Sequence, residues 1–337
     1  MIKKKKVVIL HSDVAPEASE DELDCLRQAD TIAEALRTLG HEPVLLPFVL
    51  DLGKNINTLQ SANPHVVFNL VETLGGKGNL IHVAPALLDF LQMPYTGCRT
   101  DAMYLTSNKP LAKKILHDAG IATPPWITAE GFIVGLAPSD TYLIKASWED
   151  ASVGLDETSI VKMKDSASIT QDIYNQKKKL GAACFAEAYI DGREFNIAIL
   201  ATENEVRLLP AAEMLFLDYA PDKLKLLDYR AKWVEDSFEY DHTRRTLDIA
   251  SKDSALIDNL CQIALRCWDI FGLRGYARVD FRVDKEGNPW VLEINANPCL
   301  ALEAGFAVAL EHEGIAYHKA IEYIVNDAYH ETRISET

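Results

Sequence analysis

The chain has 337 residues, of which 48% are hydrophobic, enough for a large core divided among two or three domains. Its 34 Lys and Arg residues against 50 Asp and Glu give a formal net charge of −16, which argues against nucleic acid or an anionic membrane as the main partner but allows a local basic pocket that binds phosphate. The six cysteines are scattered without paired spacing, which is typical of reduced thiols and excludes the usual zinc motifs and disulfide frameworks.

The N-terminal segment combines a short lysine run with a short apolar run. The lysines at 3–6 precede only four apolar residues, 7–10, before polar residues resume. This apolar run is too short for the core of a signal peptide or for a membrane span, so we expect a cytoplasmic protein. Its apolar composition is typical of a buried parallel strand.

Strands and helices alternate in the region that follows. Apolar residues recur every three or four positions from Leu23 to Leu36, which predicts a helix that ends at Gly40. The other elements expected here are strands at 44–46 and 65–70 and an apolar helix ending near Leu91. Such alternation predicts a doubly wound α/β unit of about 100 residues.

A stiff connection at 123–125, Thr-Pro-Pro, leads into a second region rich in strands. Before it, Ser107 or Asn108 is expected to cap a helix that ends at Gly120. After it, the sequence predicts strands at 142–146, 184–190, 194–200 and 206–209, a polar helix over 165–180 and a long amphipathic helix over 254–271.

The most informative segment is a predicted hairpin with arms at 278–284 and 289–295. Pairing about the turn at 285–288 places Asp280 opposite Glu293 and Arg278 opposite Asn295. The other face of the hairpin is expected to enter the core with Val279, Phe281, Val283, Trp290, Leu292 and Ile294.

Two carboxylates directly opposite each other destabilise a sheet unless a positive charge lies between them. Arg278 and Arg282 would supply that charge on a solvated strand face. A divalent cation is the alternative, because two carboxylates and the amide oxygen of Asn295 form a set of hard oxygen ligands suited to Mg²⁺. The hairpin by itself does not decide between the two.

Several other residues are ambiguous when taken singly. Lys109 lies at a helix start and Lys145 lies in an apolar strand, where a lysine is more often an edge or snorkelling residue. The small-residue segment at 148–154 can fold its backbone N–H groups over phosphate. Glu187 and Glu194 flank a turn and suit the surface of a hairpin equally well.

Taken in order, these segments resemble the ATP-grasp superfamily and, within it, the D-alanine–D-alanine ligase family. The resemblance runs over nearly the whole chain, in residues 94–97, 107–116, 142–154, 186–200, 226–233 and 275–298. The last segment, GYARVDFRVDKEGNPWVLEINANP, is the most specific, because its D…ExN set with an upstream Arg is a hallmark of the family. The resemblance implies an α/β ATP-grasp fold, in which an N-terminal doubly wound α/β domain (1–106) is followed by two α+β subdomains (107–186 and 187–337) that clasp ATP.

The resemblance also implies roles for individual residues. Contacts with ATP are implied for Lys109, Lys145, Ser152, Val153, Gly154, Glu187, Ala188, Ile190, Glu194 and Lys232. The lysines would contact the phosphates. Glu187, Ala188 and Ile190 would hold the adenine edge, and Glu194 the ribose. Two Mg²⁺ ions, with Mn²⁺ as an alternative metal, would be held by Asp280, Glu293 and Asn295. The implied catalytic residues are Arg278, Lys232 and Ser152.

The reaction implied by the resemblance forms an amide in two steps. A substrate carboxylate attacks the γ-phosphoryl group of ATP, and an amine then attacks the acyl phosphate and releases phosphate. Arg278 would stabilise the developing oxyanion or bind a carboxylate. The implied partners are a small carboxylate and a small amine, both amino-acid-like, and a homodimer is the expected assembly.

The sequence departs from the family where the amino acids bind. Ala151 replaces the first of two serines in the phosphate-covering loop, Trp233 replaces a tyrosine, and the family segments PGM and HG read Pro298-Cys299-Leu300 and Glu72-Thr73. The acid that orients the first amino acid falls among Glu20, Asp21 and Glu22. We therefore expect a ligase whose substrates need not be D-alanine. A true D-alanine–D-alanine ligase of cell-wall synthesis is the alternative, and a kinase or a non-catalytic nucleotide-binding protein is less favoured.

Overall fold

The computed structural model describes residues 4–15, 17–135, 140–148 and 155–329. Within these ranges the strands form one three-stranded, one five-stranded and one six-stranded sheet, and helices accompany all three. In the same ranges, no helix combines the length and the apolar composition needed to cross a membrane.

The first sheet is built from the N-terminal alternation of strands and helices. Its elements are β1 (Lys6–Ser12), α1 (Glu20–Thr38), β2 (Glu42–Phe48), α2 (Leu52–Ala62), β3 (Val66–Leu70), α3 (Val83–Phe90) and α4 (Thr100–Ser107). The strands are parallel and lie in the order β2-β1-β3. All five residues of β3 are buried, and all but Asn69 are apolar, as is typical of a parallel strand covered on both faces. The expected strands and the helix α1 are confirmed, while α2 was not foreseen.

The five-stranded sheet follows a helix that begins where the sequence predicted. That helix, α5 (Lys109–Asp118), is capped by Asn108, whose side chain accepts a hydrogen bond from the Leu111 amide. The sheet contains β4 (Trp126–Ile127), β5 (Ile133–Val134), β6 (Thr141–Ala146), β7 (Ile160–Lys162) and β8 (Cys184–Ala188), with α6 (Ser166–Leu180) packed on it. Its strand order is β5-β4-β8-β6-β7.

The six-stranded sheet carries the predicted hairpin. Its strands are β9 (Gly192–Ala201), β10 (Val206–Leu208), β11 (Ala212–Phe216), β12 (Thr243–Thr246), β13 (Tyr276–Asp284) and β14 (Pro289–Asn295). They are antiparallel in the order β12-β11-β9-β13-β14, and β10 pairs with β9. The helices of this part are α7 (Tyr229–Trp233), α8 (Phe238–His242), α9 (Ser254–Ile270), α10 (Gly305–His312) and α11 (Tyr317–Asp327).

The hairpin has the predicted register at its open end and a bulge nearer its turn. Arg278 pairs with Asn295 and Asp280 with Glu293, as expected, but the register shifts after Asp280. Beyond the shift Phe281 pairs with Val291, which is buried in the core in place of the expected Leu292. One extra residue in a strand reverses which face the residues beyond it occupy. Leu292 consequently lines a cavity, and Trp290, paired with Arg282, is only half-buried and donates a hydrogen bond to Asp284, so the predicted core face was wrong at both positions.

The two faces of β9 have different surroundings. The apolar odd-numbered residues pack with α9 in one core, whereas Ala198 and Leu200 enter a second core shared with β1, α1, α10 and α11. Because side chains alternate along a strand, Glu194 and Asn196 continue this second face beyond the core. There they line cavities, so this end of the sheet face is polar and accessible to a ligand.

Candidate active site

Asp280 and Glu293 face each other across the hairpin, and each has its own positive partner. Asp280 accepts hydrogen bonds from Nε and Nη2 of Arg278, both at 2.7 Å, and from Nδ2 of Asn196 at 2.8 Å. Nζ of Lys109 lies 3.6 Å from Oε2 of Glu293. Arg278 therefore supplies the charge that the facing acids required, whereas Arg282, the other arginine considered, pairs with Glu194 instead.

Glu293 is held in its charged form. Burial alone favours the neutral carboxyl, but nearby positive charges outweigh that effect and lower the pKa of Glu293 to about 2. The contributing cations are Lys109, Lys232, Lys145 and Arg278. Lys232 comes from α7, and burial lowers the pKa of its amine. A charged carboxylate and three lysines thus share one small region.

Glu187 joins two lysines in the interior of the five-stranded sheet. Its position on β8 lies opposite Leu143, two residues before Lys145 on β6, so Glu187 and Lys145 project from the same face. Nζ of Lys145 is 2.5 Å from one carboxylate oxygen of Glu187, and Nζ of Lys113 is 2.5 Å from the other. Although burial opposes ionisation, the two lysines lower the pKa of Glu187. Lys113 was missed from the sequence, where it lies in a polar stretch one helical turn after Lys109.

Arg282 organises the opposite wall of the same region. Its Nη1 lies 3.2 Å from Oε2 of Glu194, and its Nε donates to the main-chain oxygen of Ile190 at 3.0 Å. Burial raises the pKa of Glu194, an effect that the arginine charge opposes. Ile190, implied at the adenine edge, and Glu194, implied at the ribose, are therefore both held by a buried arginine that was expected only as a surface charge.

Most of the implied nucleotide residues line one narrow cavity of about 90 Å³. Its wall contains Lys109, Lys145, Glu187, Ala188, Ile190, Glu194 and Lys232, together with Asp280 and Glu293. In this wall, Nζ of Lys145 contacts a carboxylate oxygen of Glu187. Ser152, Val153 and Gly154, also implied at the phosphates, lie outside the described residues, as does Ala151.

A second and larger cavity, of about 1040 Å³, adjoins the first. The two share Leu227, Lys232 and Glu293 in their walls. Arg278 and Asn295 line the larger cavity, and so do the departures from the family pattern at Glu72, Thr73, Trp233 and Cys299. Leu300, by contrast, is buried in a core.

The acids at the start of α1 have separate uses. Glu22 accepts hydrogen bonds from the amide and hydroxyl of Ser19, which caps the helix, and Glu20 pairs with Arg27. The side chain of Asp21 lies outside the described part. Asp24, which the sequence analysis did not consider, lines the larger cavity and accepts a hydrogen bond from the Cys299 thiol at 3.1 Å. Burial and the nearby acids raise the pKa of Cys299, so it stays a neutral thiol.

The donor set on the hairpin suits a hard divalent cation. Asp280 and Glu293 are paired in register, and Asn295 lies two residues beyond Glu293, on the same side of its strand. Two carboxylates and one amide oxygen are ligands that Mg²⁺ accepts while keeping waters and sharing phosphates. Within the described residues, the hairpin included, no group of three or more His, Cys, Asp or Glu side chains is arranged to hold a metal ion, so the hairpin offers two carboxylates and one amide.

Comparisons with known proteins agree on one family. A family model described as "D-ala D-ala ligase C-terminus" matches residues 141–326. The D-alanine–D-alanine ligase of Aquifex aeolicus is 30% identical over 324 residues, which cover 95% of this chain and 99% of that enzyme. An uncharacterized protein of Sinorhizobium fredii is also 30% identical, over 312 residues that cover 90% of this chain and 88% of that protein.

The fold is shared with solved structures as well. The crystal structure of D-alanine–D-alanine ligase from Bacillus anthracis complexed with ATP matches with a TM-score of 0.72, at 19% identity, over 99% of this chain and 100% of that chain. This match confirms the ATP-grasp architecture expected from the sequence. The family model matches more than half of the chain, and the Aquifex aeolicus enzyme matches 95% of it at 30% identity. The chain therefore belongs to the D-alanine–D-alanine ligase family, a family of ATP-dependent carbon–nitrogen ligases.

Proposed function

We propose that the protein joins a small carboxylate to a small amine through an acyl phosphate, and that its substrates are not a pair of D-alanines. The observation that carries this proposal is the connection between two cavities. A narrow cavity with the nucleotide pattern opens, at Lys232 and Glu293, into a large cavity whose wall holds the departures from the family. A reacting carboxylate at that junction would lie between the phosphates and the amine.

The narrow cavity has groups suited to each part of ATP. Lys109, Lys145 and Lys232 can neutralise phosphate oxygens, and Lys145 is free to move toward phosphate because Lys113 also balances Glu187. Main-chain groups of residues 188–190 would meet the adenine edge, and Glu194, oriented by Arg282, the ribose hydroxyls. Ser152, Val153 and Gly154 are proposed to cover the phosphates.

Asp280, Glu293 and Asn295 are proposed to hold Mg²⁺, with two ions expected and Mn²⁺ as an alternative. A bound divalent cation would neutralise charge on the transferring phosphoryl group. Arg278 then has a second task, because it lines the larger cavity while its Nε and Nη2 donate to Asp280. We assign Arg278 to the oxyanion that develops when the amine attacks, and Ser152 and Lys232 to the phosphoryl group.

The substrate side differs chemically from a pocket built for two alanines. Trp233 places a large indole in the cavity wall, and Glu72 adds a carboxylate there. The thiol of Cys299, which donates a hydrogen bond to Asp24, also borders the cavity. These groups favour a substrate pair more polar than two alanines.

D-alanine–D-alanine ligation is the second candidate, favoured by the names of the relatives. The Aquifex aeolicus enzyme, whose name states that activity, matches almost from end to end. A cytoplasmic location, a homodimer and the boundaries 1–106, 107–186 and 187–337 stay predictions under either candidate.

A pairwise screen of amino acids and other small acids and amines separates these candidates. The rate of ADP release is measured for each pair, and the product is identified by mass spectrometry. The proposal expects ADP and an amide only when an acid and an amine are both present, with a pair other than two D-alanines giving the highest kcat/KM. D-alanine as the best substrate would establish the second candidate, and ADP release with one hydroxyl compound alone would indicate a kinase.

A further inference from the structure

Glu239, on α8, pairs with two cations of the long connection between β11 and β12, residues 217–242. Its Oε1 accepts a hydrogen bond from Nζ of Lys223 at 2.6 Å, and its Oε2 accepts one from Nε of Arg230 at 3.0 Å. Glu239 is only 7% exposed. Although burial opposes ionisation, the two hydrogen bonds lower the pKa of Glu239 to about 2. A buried carboxylate that is charged at neutral pH therefore joins two positions of this connection.

Lys223 is held by more than its ion pair. Its ammonium lies 5.6 Å from the ring centre of Tyr219 and 5.2 Å from that of Phe238, and the two ring centres are 5.3 Å apart. Both distances are within the range of cation–π attraction. The hydroxyl oxygens of Tyr219 and Thr243 lie 3.1 Å apart, within hydrogen-bond distance. Lys223 and its neighbours are thus attached to the start of β12 and, through it, to the six-stranded sheet.

Arg230 lies on α7, a helix too short to be stable by itself. Among the five residues of α7, only Ala231 is buried. A single helical turn has too few hydrogen bonds to offset the cost of nucleation, so contacts with other segments must fix its position. Polar groups supply such contacts: the amide of Tyr229 donates to the main-chain oxygen of Leu155 at 3.4 Å, and the hydroxyl of Ser237 donates to that of Arg230 at 3.2 Å. The position of α7 therefore depends on polar contacts, the ion pair of Arg230 among them.

The opposite side of α7 faces the site. Residues two positions apart lie on different sides of a helix, so Lys232 projects away from Arg230. Lys232 lines both cavities, and the next residue, Trp233, lines the larger one. Arg230 is 52% exposed, and neither Arg230 nor Glu239 lines either of these cavities. Glu239 thus holds α7 from the outer side, while the inner side presents Lys232 at the junction of the cavities.

We propose that Glu239 is a positioning residue for the ligation reaction: by holding Lys223 and Arg230 it fixes α7, so that Lys232 reaches the transferring phosphoryl group. The inference rests on the proposed function, which assigns Lys232 to that group. Glu239 touches no substrate and acts through α7. Because a misplacement of about 1 Å at a reacting centre can cost about 100-fold in rate, a contact on the outer side of α7 matters for turnover.

The test compares three variants with the parent enzyme, using the best acid–amine pair from the ADP-release screen. Glu239→Gln removes the charge at nearly constant size, Glu239→Asp keeps the charge on a shorter side chain, and Asp241→Asn is the matched control. Asp241 is an exposed acid on the same helix, and it lines neither cavity. Urea denaturation of each form gives its free energy of unfolding, which separates a loss of rate from a loss of folded protein.

Glu239→Gln should lower kcat by about 10- to 100-fold, because Lys232 acts on the phosphoryl group in the transition state. KM for ATP should change by no more than about threefold, since Lys109 and Lys145 are untouched. Glu239→Asp should recover part of the loss, and Asp241→Asn should match the parent. A loss confined to kcat in a folded enzyme is the pattern that a positioning role predicts.

A second measurement reports the position of Lys232 without turnover. Each form is treated with an amine-reactive ester, and the modification of Lys232 is followed by mass spectrometry of its peptide. Lys232 should react faster in Glu239→Gln than in the parent, because α7 is no longer held from its outer side. Exposed Lys252, which lies outside the connection, is the internal reference and should react at the same rate in every form.

Two results would overturn the inference while leaving the ligase function intact. One is a Glu239→Gln enzyme that turns over as the parent does. The other is a lowered kcat with unchanged reactivity of Lys232, which would mean that Glu239 acts by another route. If the parent enzyme forms no amide with any pair, the proposed function itself fails, and this inference fails with it.

Discussion

Lys113 and Glu187 form an ion pair of 2.5 Å in the interior, where their side chains are only 1% and 2% exposed. Nζ of Lys113 also donates to the hydroxyl of Thr123, which donates to the main-chain oxygen of Val291 on β14. One lysine therefore connects the five-stranded sheet to the hairpin of the six-stranded sheet. Burial lowers the pKa of Lys113 to about 8, an effect that the charge of Glu187 opposes.

Lys113→Met should destabilise the fold and weaken ATP binding. The substitution removes one of the two lysines that pair with buried Glu187, and the loss of a hydrogen bond to a charged group should cost about 1.5–3 kcal/mol of the free energy of unfolding, measured by urea denaturation. Lys145 should then stay on Glu187, which raises KM for ATP. Lys114→Met, which removes an exposed lysine paired with Asp118, is the control and should change neither quantity. Equal effects of the two substitutions would mean that the buried pair has no special role.

The metal ligands should matter for turnover more than for nucleotide affinity. Asp280→Asn and Glu293→Gln should each reduce kcat by at least about 100-fold. The charge of the metal ion that these two carboxylates would hold acts mainly in the transition state. KM for ATP should change by no more than about threefold. Glu286→Gln, an exposed acid at the turn of the same hairpin, should behave as the parent. Near-normal turnover of either ligand variant would show that these residues do not hold a metal.

Glu293 should make stability depend on pH at the acidic end. Its pKa of about 2 in the folded chain lies below the ordinary value of 4.5, so the unfolded chain binds more protons between those values. The stabilising contribution of ionised Glu293 is therefore complete above pH 4.5 and is lost as the pH falls toward 2. Urea denaturation of the parent and of Glu293→Gln should show a difference in the free energy of unfolding at about pH 6 that shrinks by about pH 3. A difference that is constant with pH would contradict this assignment.

The substitutions in the substrate wall can be reversed. Ala151→Ser combined with Trp233→Tyr restores two residue types of the family pattern, and it should raise kcat/KM for D-alanine if those positions block it. The rate of ADP release with D-alanine as both substrates is the measurement, and each single substitution serves as a control. An unchanged rate would place the preference in other wall residues, such as Glu72 and Cys299.

Much of the fold and of the nucleotide site could be predicted because the relevant signals are local. The turn at 285–288 sets the register of the hairpin, so the pairing of Asp280 with Glu293 could be predicted by counting from it. The bulge beyond Asp280 could not, because it depends on how Val291 packs in the core. The helix α2 was missed although Leu52, Ile56 and Leu59 have helical spacing, and only Asn55 and Leu59 of its eleven residues are buried.

The missed site residues depend on contacts between distant parts of the chain. Lys113 meets Glu187 across 74 positions of sequence, and Asp24 meets Cys299 across 275. In the sequence, Lys113 and Asp24 are ordinary charged residues on helices. Arg282 was noticed, but its partner was assigned to the wrong acid, because the neighbouring strand β9 supplies Glu194.

The activation of a carboxylate by ATP is tested most directly by following its oxygen atoms. The acid substrate found in the ADP-release screen is labelled in its carboxyl group with a heavy isotope of oxygen, and the released phosphate is examined by mass spectrometry. If an acyl phosphate forms and the amine attacks its carbonyl carbon, one labelled oxygen per turnover appears in the phosphate. Unlabelled phosphate, released while an amide accumulates, would contradict that route.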